Sequence, residues 1–384
     1  MPKTVVTTDR LMKPIAHFSH GVRVGDVIHL GAAAGTDPQR RLAGEAPGLA
    51  DMTAQAQRLF DNFEIALGLL GGGLRDVVRF RSFIADWRDL AAYDEVYRRR
   101  FGDRRPSTVT LGTWGFPLPQ ATVEAELVAV VGRAREHLAS GLRVGSHHWH
   151  TASPRDDRGA VVGGSDAGAQ TEHALRDLAS ALEAAGLSAR DVVMVNVSLA
   201  DVRHYPAFEA AYARFFPPPG PARTVVATSL CHPAQLVEIE STAVAGGGRP
   251  VGGRGALTAP LGVSPAMLAE DELYIGGQLG VAADGSLPGD AEQQTRAAWA
   301  RVRALLEEAG MAVEDVVRTS NVLTDWRHYA PYNAGYGAFV AAPYPPRATV
   351  VGALPDPRAL VQIEAVAHRA GRDATVLEAN PPSA

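Results

Sequence analysis

The sequence predicts an α+β protein in which one unit of strands and two helices is written three times, the copies closing on a shared axis as a pseudo-trimer within one chain. Three observations predict it. Asp-Val-Val recurs at Asp76, Asp191 and Asp315, each followed by an Asp ten positions on (Asp86, Asp201, Asp325), a Tyr at twenty-one (Tyr97, Tyr212, Tyr336) and a Pro at thirty (Pro106, Pro221, Pro345). Each copy also runs through the same order of apolar patterns, strand before helix. Finally, a sheet covered by helices on one face needs cover on the other, and three sheets packed about an axis supply it.

The landmarks place the units at about residues 1–132, 133–247 and 248–371, with a tail over 372–384. Within a unit the early strands come first, as in Val24 to Ala33 and Leu273 to Val281. A helix follows in which Leu59, Phe60, Phe63, Leu67 and Leu70 recur at helical spacing and share one face; the matching helices are Gln170 to Ala185 and Ala291 to Ala309. Gly71, Gly186 and Gly310 stand where a helix ends in the left-handed conformation. The Asp-Val-Val strand, a second helix carrying the Tyr, and two closing strands complete the unit. The recurring Tyr97, Tyr212 and Tyr336 read as packing residues, and Trp87 and Trp326 as anchors at a helix start. The glycine-rich stretch Gly246 to Gly253 reads as a flexible connection, and the tail from Asp373 to Ala384 is expected to fray.

Composition bounds the function. The 384 residues are 46% hydrophobic, enough for a large core, and the formal net charge of −5 leaves no broad basic surface for nucleic acid. A single cysteine, Cys231, excludes an internal disulfide and fits a reducing compartment. No apolar run has the length of a secretory core or a membrane span, so a soluble cytoplasmic protein is expected.

The chemistry concentrates in the closing strands. Pro221-Ala222-Arg223-Thr224-Val225-Val226 and Leu236-Val237-Glu238-Ile239-Glu240 are strand-like runs carrying charges that need a partner or a task. Arg223 presents a planar fork that matches a carboxylate, and Glu238 can move protons, which points to a small carboxylated substrate. An ion pair between the two is the competing structural explanation. His148 and His150 in His147-His148-Trp149-His150 would share a strand face, but no third ligand is spaced to complete a metal shell, so no metal is expected. His17 and His20 flank Phe18 in a loop expected to line a cleft.

These residues resemble the Rid (RidA/YjgF) family of imine deaminases over nearly the whole chain, as three fused copies. The resemblance rests on Gly277-Gln278 after the early strand, the helix ending in Ala-Gly, the Asp-Val-Val strand, Asn333-Ala334-Gly335-Tyr336, Pro-x-Arg-x-x-Val and the closing Val-Glu-Ile-Glu. It implies a chorismate-mutase-like fold, a central β-barrel with outer helices, ligand clefts between units, and hydrolysis of 2-imino or enamine acids without cofactor. The carboxylate-binding Arg of the family resembles Arg223 and Arg347, with Thr108 in the first unit. Its water-positioning Glu resembles Glu124 and Glu238, with Gln362 in the third. Only the second unit keeps both, so Arg223 and Glu238 are expected to form the working site. Phe18 matches the aromatic of the N-terminal loop, Thr151 a small hydroxyl residue replaced by Gly31 and Gly276 elsewhere, and Asn333 the helix Asn replaced by Asp94 and Glu209. The family's reactive Cys position is Val225 or Thr349 here.

The resulting expectation is a Rid-like hydrolase or deaminase for a reactive imine, enamine or related intermediate, with uneven clefts fitting a specialised biosynthetic role. The alternative is a non-catalytic metabolite-binding or scaffold pseudo-trimer. The acidic balance argues against ribonuclease activity. A small-molecule substrate is expected, with no nucleic acid or membrane partner, and further self-association is left open.

Overall fold

A computed structural model describes residues 2–46, 49–138, 141–252, 262–282 and 284–378. The first unit contributes β1 (Lys3–Thr7), β2 (Gly21–Val24), β3 (Val27–Ala34), α1 (Met52–Leu69), β4 (Val77–Ile84), α2 (Leu90–Phe101), β5 (Ser107–Gly112) and β6 (Val123–Val130). The second contributes β7 (Arg135–His137), β8 (Leu142–Val144), β9 (His147–Ala152), α3 (Ala167–Ala184), β10 (Val192–Leu199), α4 (Tyr205–Phe215), β11 (Gly220–Ala227) and β12 (Val237–Val244). The third contributes β13 (Arg249–Val251), β14 (Val263–Ser264), β15 (Ala266–Ala269), β16 (Glu272–Leu279), α5 (Ala291–Glu308), β17 (Val316–Leu323), α6 (Tyr329–Gly337), β18 (Arg347–Val351), β19 (Val361–His368) and finally β20 (Ala374–Glu378).

Each long helix starts on an Asp cap, Asp51, Asp166 or Asp290, whose carboxylate accepts from backbone N–H groups that would otherwise lack a partner. Each ends before the predicted glycine, and Gly71, Gly186 and Gly310 all take positive φ, where a Cβ would be strained. The apolar face of α1 lies on its sheet, with Leu59, Phe60, Phe63 and Leu67 buried against Phe80 and Val123. Fully burying side chains of this size is worth about 1.5–3 kcal/mol each. In every unit the Asp-Val-Val strand is central, pairing antiparallel with the last strand and parallel with the one that follows the second helix.

The three sheets run in the orders β20-β1-β2-β3-β6-β4-β5, β14-β11-β10-β12-β9-β8-β7 and β13-β15-β16-β19-β17-β18. Among the described residues they do not hydrogen-bond into one closed barrel. They face one another, joined at their rims by single bridges, Leu111 to Leu230 and Ala227 to Ala353. The expected barrel is therefore three separate sheets around a shared centre, because the facing strands meet through side chains. Those side chains are the glutamate at the fourth position of each closing strand, Glu126, Glu240 and Glu364, with Arg79, Arg81 and Arg318. Arg79 reaches Glu126 at 3.2 Å and Glu240 at 2.9 Å, while Arg318 reaches Glu126 at 3.5 Å and Glu364 at 3.2 Å. Arg81 also meets Glu240, and Thr224 Oγ1 donates to Glu364 at 2.7 Å. Burial alone would raise the pKa of Glu126, but Arg318, Arg79 and Arg81 outweigh it and hold it below the usual carboxylate range. The first unit is ion-paired to each of the other two, and the second is joined to the third by Thr224 and Asn196 donating to Glu364; removing one partner of a buried ion pair typically costs about 3–5 kcal/mol.

Two expectations about the connections fail for one reason, an open sheet edge. Arg249–Val251, expected to be flexible, is β13 and pairs antiparallel with β15; Gly253 lies outside the described residues. The tail expected to fray holds β20, which runs parallel to β1 with Lys3 opposite Ala374. Both segments satisfy backbone groups that an edge strand would leave unpaired. Residues 379–384 of that tail lie outside the described residues. No described helix is long and apolar enough to cross a membrane.

Candidate functional site

Arg223 and Glu238 do not share a cleft. Both are buried, but β11 carries Arg223 to the third unit while β12 turns Glu238 toward the first. The determining contact is at the early strand of the neighbouring unit, where a Cβ on Gly276 would lie 2.7 Å from the backbone N of Arg223. On the same strand Leu279 pairs with Gln362. Arg223 and Gln362 accordingly line one cleft of about 500 Å³ between the second and third units. Each cleft thus combines the Arg position of one unit with the Glu position of the next.

The same register recurs between the third and first units. A Cβ on Gly31 would lie 2.7 Å from the backbone N of Arg347, and Glu124 stands opposite Ala34, as Gln362 stands opposite Leu279. That register assigns an arginine, Arg347, and a glutamate, Glu124, to the junction between the third and first units. The guanidinium of Arg347 rests over Tyr336 at 4.6 Å and Tyr332 at 5.2 Å, with Phe18 of the first unit on it at 5.7 Å. Its Nη2 donates to Asn333 Oδ1, and it has no carboxylate partner among the described residues. Glu124 likewise has no hydrogen-bond or ion-pair partner among the described residues, and burial pushes its pKa up to about 8. His17 packs edge-on to Tyr344 at 5.3 Å, its pKa lowered by burial and then by Arg347. His20 instead holds the loop, its Nδ1 accepting from Thr8 N at 3.3 Å and its Nε2 lying 3.0 Å from Met12 O.

The other two clefts are each incomplete. Arg223 is ion-paired with Glu209 at 2.7 Å and lies over Tyr212 at 4.4 Å, facing an amide where the other sites have a carboxyl. Between the first and second units, Thr108 donates to or accepts from the Tyr97 hydroxyl at 2.6 Å, and Ser107 meets Thr151 at 3.2 Å. Glu238 on that side accepts from Ser153 at 2.6 Å and from Gln235. Burial lifts the pKa of Glu238 to about 7 against the lowering effect of those bonds. Cys231 sits beside Arg155 at 3.2 Å, and burial raises its thiol pKa.

The remaining candidates are placed as follows. His148 and His150 are buried and stack at 6.3 Å, and His150 Nε2 lies 3.1 Å from Asp177. Among the described residues no group of three potential ligands surrounds a metal position. Tyr212 and Tyr336 are packed, as expected, but also form the platforms under the two arginines. Sequence reasoning missed the exchange of partners between units. Gly31 and Gly276 carried the signal, since a missing side chain at the end of a strand marks close approach by another backbone.

The family model described as Endoribonuclease L-PSP matches the chain three times, over residues 8–131, 151–245 and 255–369. A RutC family protein of Pyrococcus abyssi is 30% identical over 129 residues, spanning 34% of this chain and 98% of that protein. The 3-aminoacrylate deaminase RutC of Acinetobacter baylyi is 41% identical over 90 residues, spanning 23% of this chain and 71% of that protein. A chorismatase crystal structure aligns over 76% of this chain and 93% of its own with a TM-score of 0.57; at 12% identity the likeness is one of fold.

Proposed function

Because the chain belongs to the Rid family, as three fused copies matched by the Endoribonuclease L-PSP model, we propose that it hydrolyses a 2-imino or enamine acid in the cleft between its third and first units. What supports this reading is the register that assigns Arg347 and Glu124 to one junction, where the guanidinium has no carboxylate partner among the described residues and the carboxyl is buried. A deaminase of an enamine acid among the relatives supports the reaction class.

Arg347 clamps the substrate carboxylate through two parallel charge-assisted hydrogen bonds, with Tyr332, Tyr336 and Phe18 fixing the plane of its fork. With its pKa near 8, Glu124 starts as the acid near neutrality. It gives its proton to the imine nitrogen, which makes the C=N carbon more electrophilic, and as carboxylate it takes a proton from the water that attacks that carbon. Glu124 passes that proton to the amine nitrogen of the tetrahedral adduct and takes one from its hydroxyl, so that ammonia leaves as the C–N bond breaks and the C=O bond forms. The products are a 2-oxo acid and ammonia, so no redox step is required.

Ammonia release from freshly generated 2-iminopropionate tests the proposal. Glu124→Gln and Arg347→Ala should each abolish most of the turnover, while Arg223→Ala and Glu238→Gln leave it nearly intact. Unchanged turnover in Glu124→Gln rejects the assignment, and binding of the oxo acid without any turnover in the native chain favours the scaffold alternative.

A further inference from the structure

The cleft between the second and third units differs from the other two at one more place. The long helices α1, α3 and α5 have equal length, and their equivalent positions hold Asn62, Asp177 and Arg301. Asn62 is spent on the Ala34 and Thr36 carbonyls at 3.0 and 2.9 Å, and Asp177 on His150 at 3.1 Å. Arg301 lines the cleft that already holds Arg223. Its Nε donates to Gln278 Oε1 at 3.3 Å, and Gln278 is itself anchored by donating to the Gly276 carbonyl at 2.8 Å. No carboxylate pairs with Arg301 among the described residues, and partial burial lowers its pKa, so it sits partly desolvated without a counter-charge.

Arg223 is more deeply buried, with 2% of its side chain exposed. Glu209 occupies its Nη2, while its Nη1 is buried without a partner. Arg358 at the rim is taken up by Asp356 at 2.7 Å. Among these five groups the positive charges exceed the negative ones by one, and the excess lies at Arg301. Gln362 completes the wall; it can share a hydrogen bond but cannot exchange a proton with water. From these residues we infer that this cleft binds a dicarboxylic acid without converting it, one carboxylate on the open side of Arg223 and the other on Arg301.

Two planar forks lining one cleft select for two carboxylates, since each guanidinium offers paired donors that a single carboxylate satisfies only once. The amide at Gln362 cannot take a proton, and the nearby carboxylates Glu209 and Asp356 are each held by an arginine, Arg223 and Arg358, so the bound acid meets no free base there. The inference does not depend on hydrolysis in the third–first cleft, as the two sites share no side chain.

Calorimetric titration of the full chain with succinate and with malate tests it. Saturable binding is expected, weakened at least tenfold in Arg301→Gln, which is half-exposed and should leave the fold intact, and unchanged in Arg347→Ala. Gln362→Glu should weaken it to a similar degree by placing a like charge beside the ligand. Absence of binding, binding indifferent to Arg301→Gln, or binding lost in Arg347→Ala overturns the inference. Equal competition by inorganic sulfate also overturns it, since that would show general anion attraction and no preference for two carboxylates. Ammonia release measured on the same samples keeps the two readings apart: a chain that binds succinate but releases no ammonia retains this site and loses the hydrolytic one.

Discussion

Where Arg347 lies over Tyr336, the first unit has Thr108 bonded to the hydroxyl of Tyr97. The two tyrosines are equivalent, and so are the strands that carry the residues above them. In one cleft the ring supports a charge that awaits a ligand. In the other, the loss of that charge has been absorbed by a neutral hydrogen bond, and the carboxyl across the way, Glu238, has acquired Ser153 and Gln235 as permanent partners. Glu124, facing Arg347, has acquired none. On the proposed reading Glu124 is left unsatisfied for a substrate to satisfy, while the first–second cleft has closed over its own polar atoms.

That contrast can be broken by experiment. The largest effect is expected from Glu124→Gln, which should lower kcat/KM for imino-acid hydrolysis by roughly 100- to 1000-fold, the range associated with general acid–base groups; a change under threefold would show the two carboxyls to be equivalent after all. Arg347→Ala should cost about 100-fold, mostly in KM, and Arg347→Lys should recover only part of it because an ammonium lacks the fork. Steady-state kinetics over substrate concentrations spanning KM checks both.

The pH dependence follows next. Since Glu124 is raised to about 8, activity that begins from its protonated form should fall about tenfold per unit above that pH. The stability effect has the opposite implication for the mutant. Between about pH 4.5 and 8 the folded chain holds a proton on this carboxyl that the unfolded chain has lost, so stability declines as pH rises through that window. Glu124→Gln removes the decline and should stabilise the protein by roughly 4 kcal/mol at pH 8 at most, measured by urea unfolding. An inactive variant that is more stable than its parent would mark the residue as functional.

Smaller effects sharpen the comparison from the other side. Gln362→Glu restores a carboxyl opposite Arg223 and should raise total turnover by at most about twofold, since Glu209 already shares that guanidinium. Tyr97→Phe should leave turnover unchanged and cost about 1 kcal/mol of stability, the usual worth of one hydrogen bond.

Much of this was legible in the sequence, because the spacing of Asp, Tyr and Pro reports local structure that each unit builds alone. The helices expected over Gln170 to Ala185 and Ala291 to Ala309, the glycines after each helix and the strands around Asp76, Asp191 and Asp315 all depend on nearby residues. The residue types at the site were legible too, down to Glu209 standing where Asn333 does. What could not be read was the partner of each charge. Arg223 and Glu238 are fifteen positions apart on adjacent stretches of one unit, yet they face different neighbours, and nothing local to either decides which. Likewise β20 and β13 were misjudged because their composition is that of linkers, and only a vacant sheet edge far away in the chain makes them strands.

The buried charges on the axis carry a further consequence. Three glutamates are supplied evenly, one per unit, but the arginines are not: Arg79 and Arg81 come from the first, Arg318 from the third, and the second gives Met194 and Asn196 at those places. Severed and left to self-assemble, second units would bring three carboxylates together with no cation, and first units would crowd six guanidiniums around three acids. Neither homotrimer would balance its centre, whereas third units, with one Arg318 and one Glu364 each, would, so the first and second parts depend on their covalent neighbours for a neutral axis.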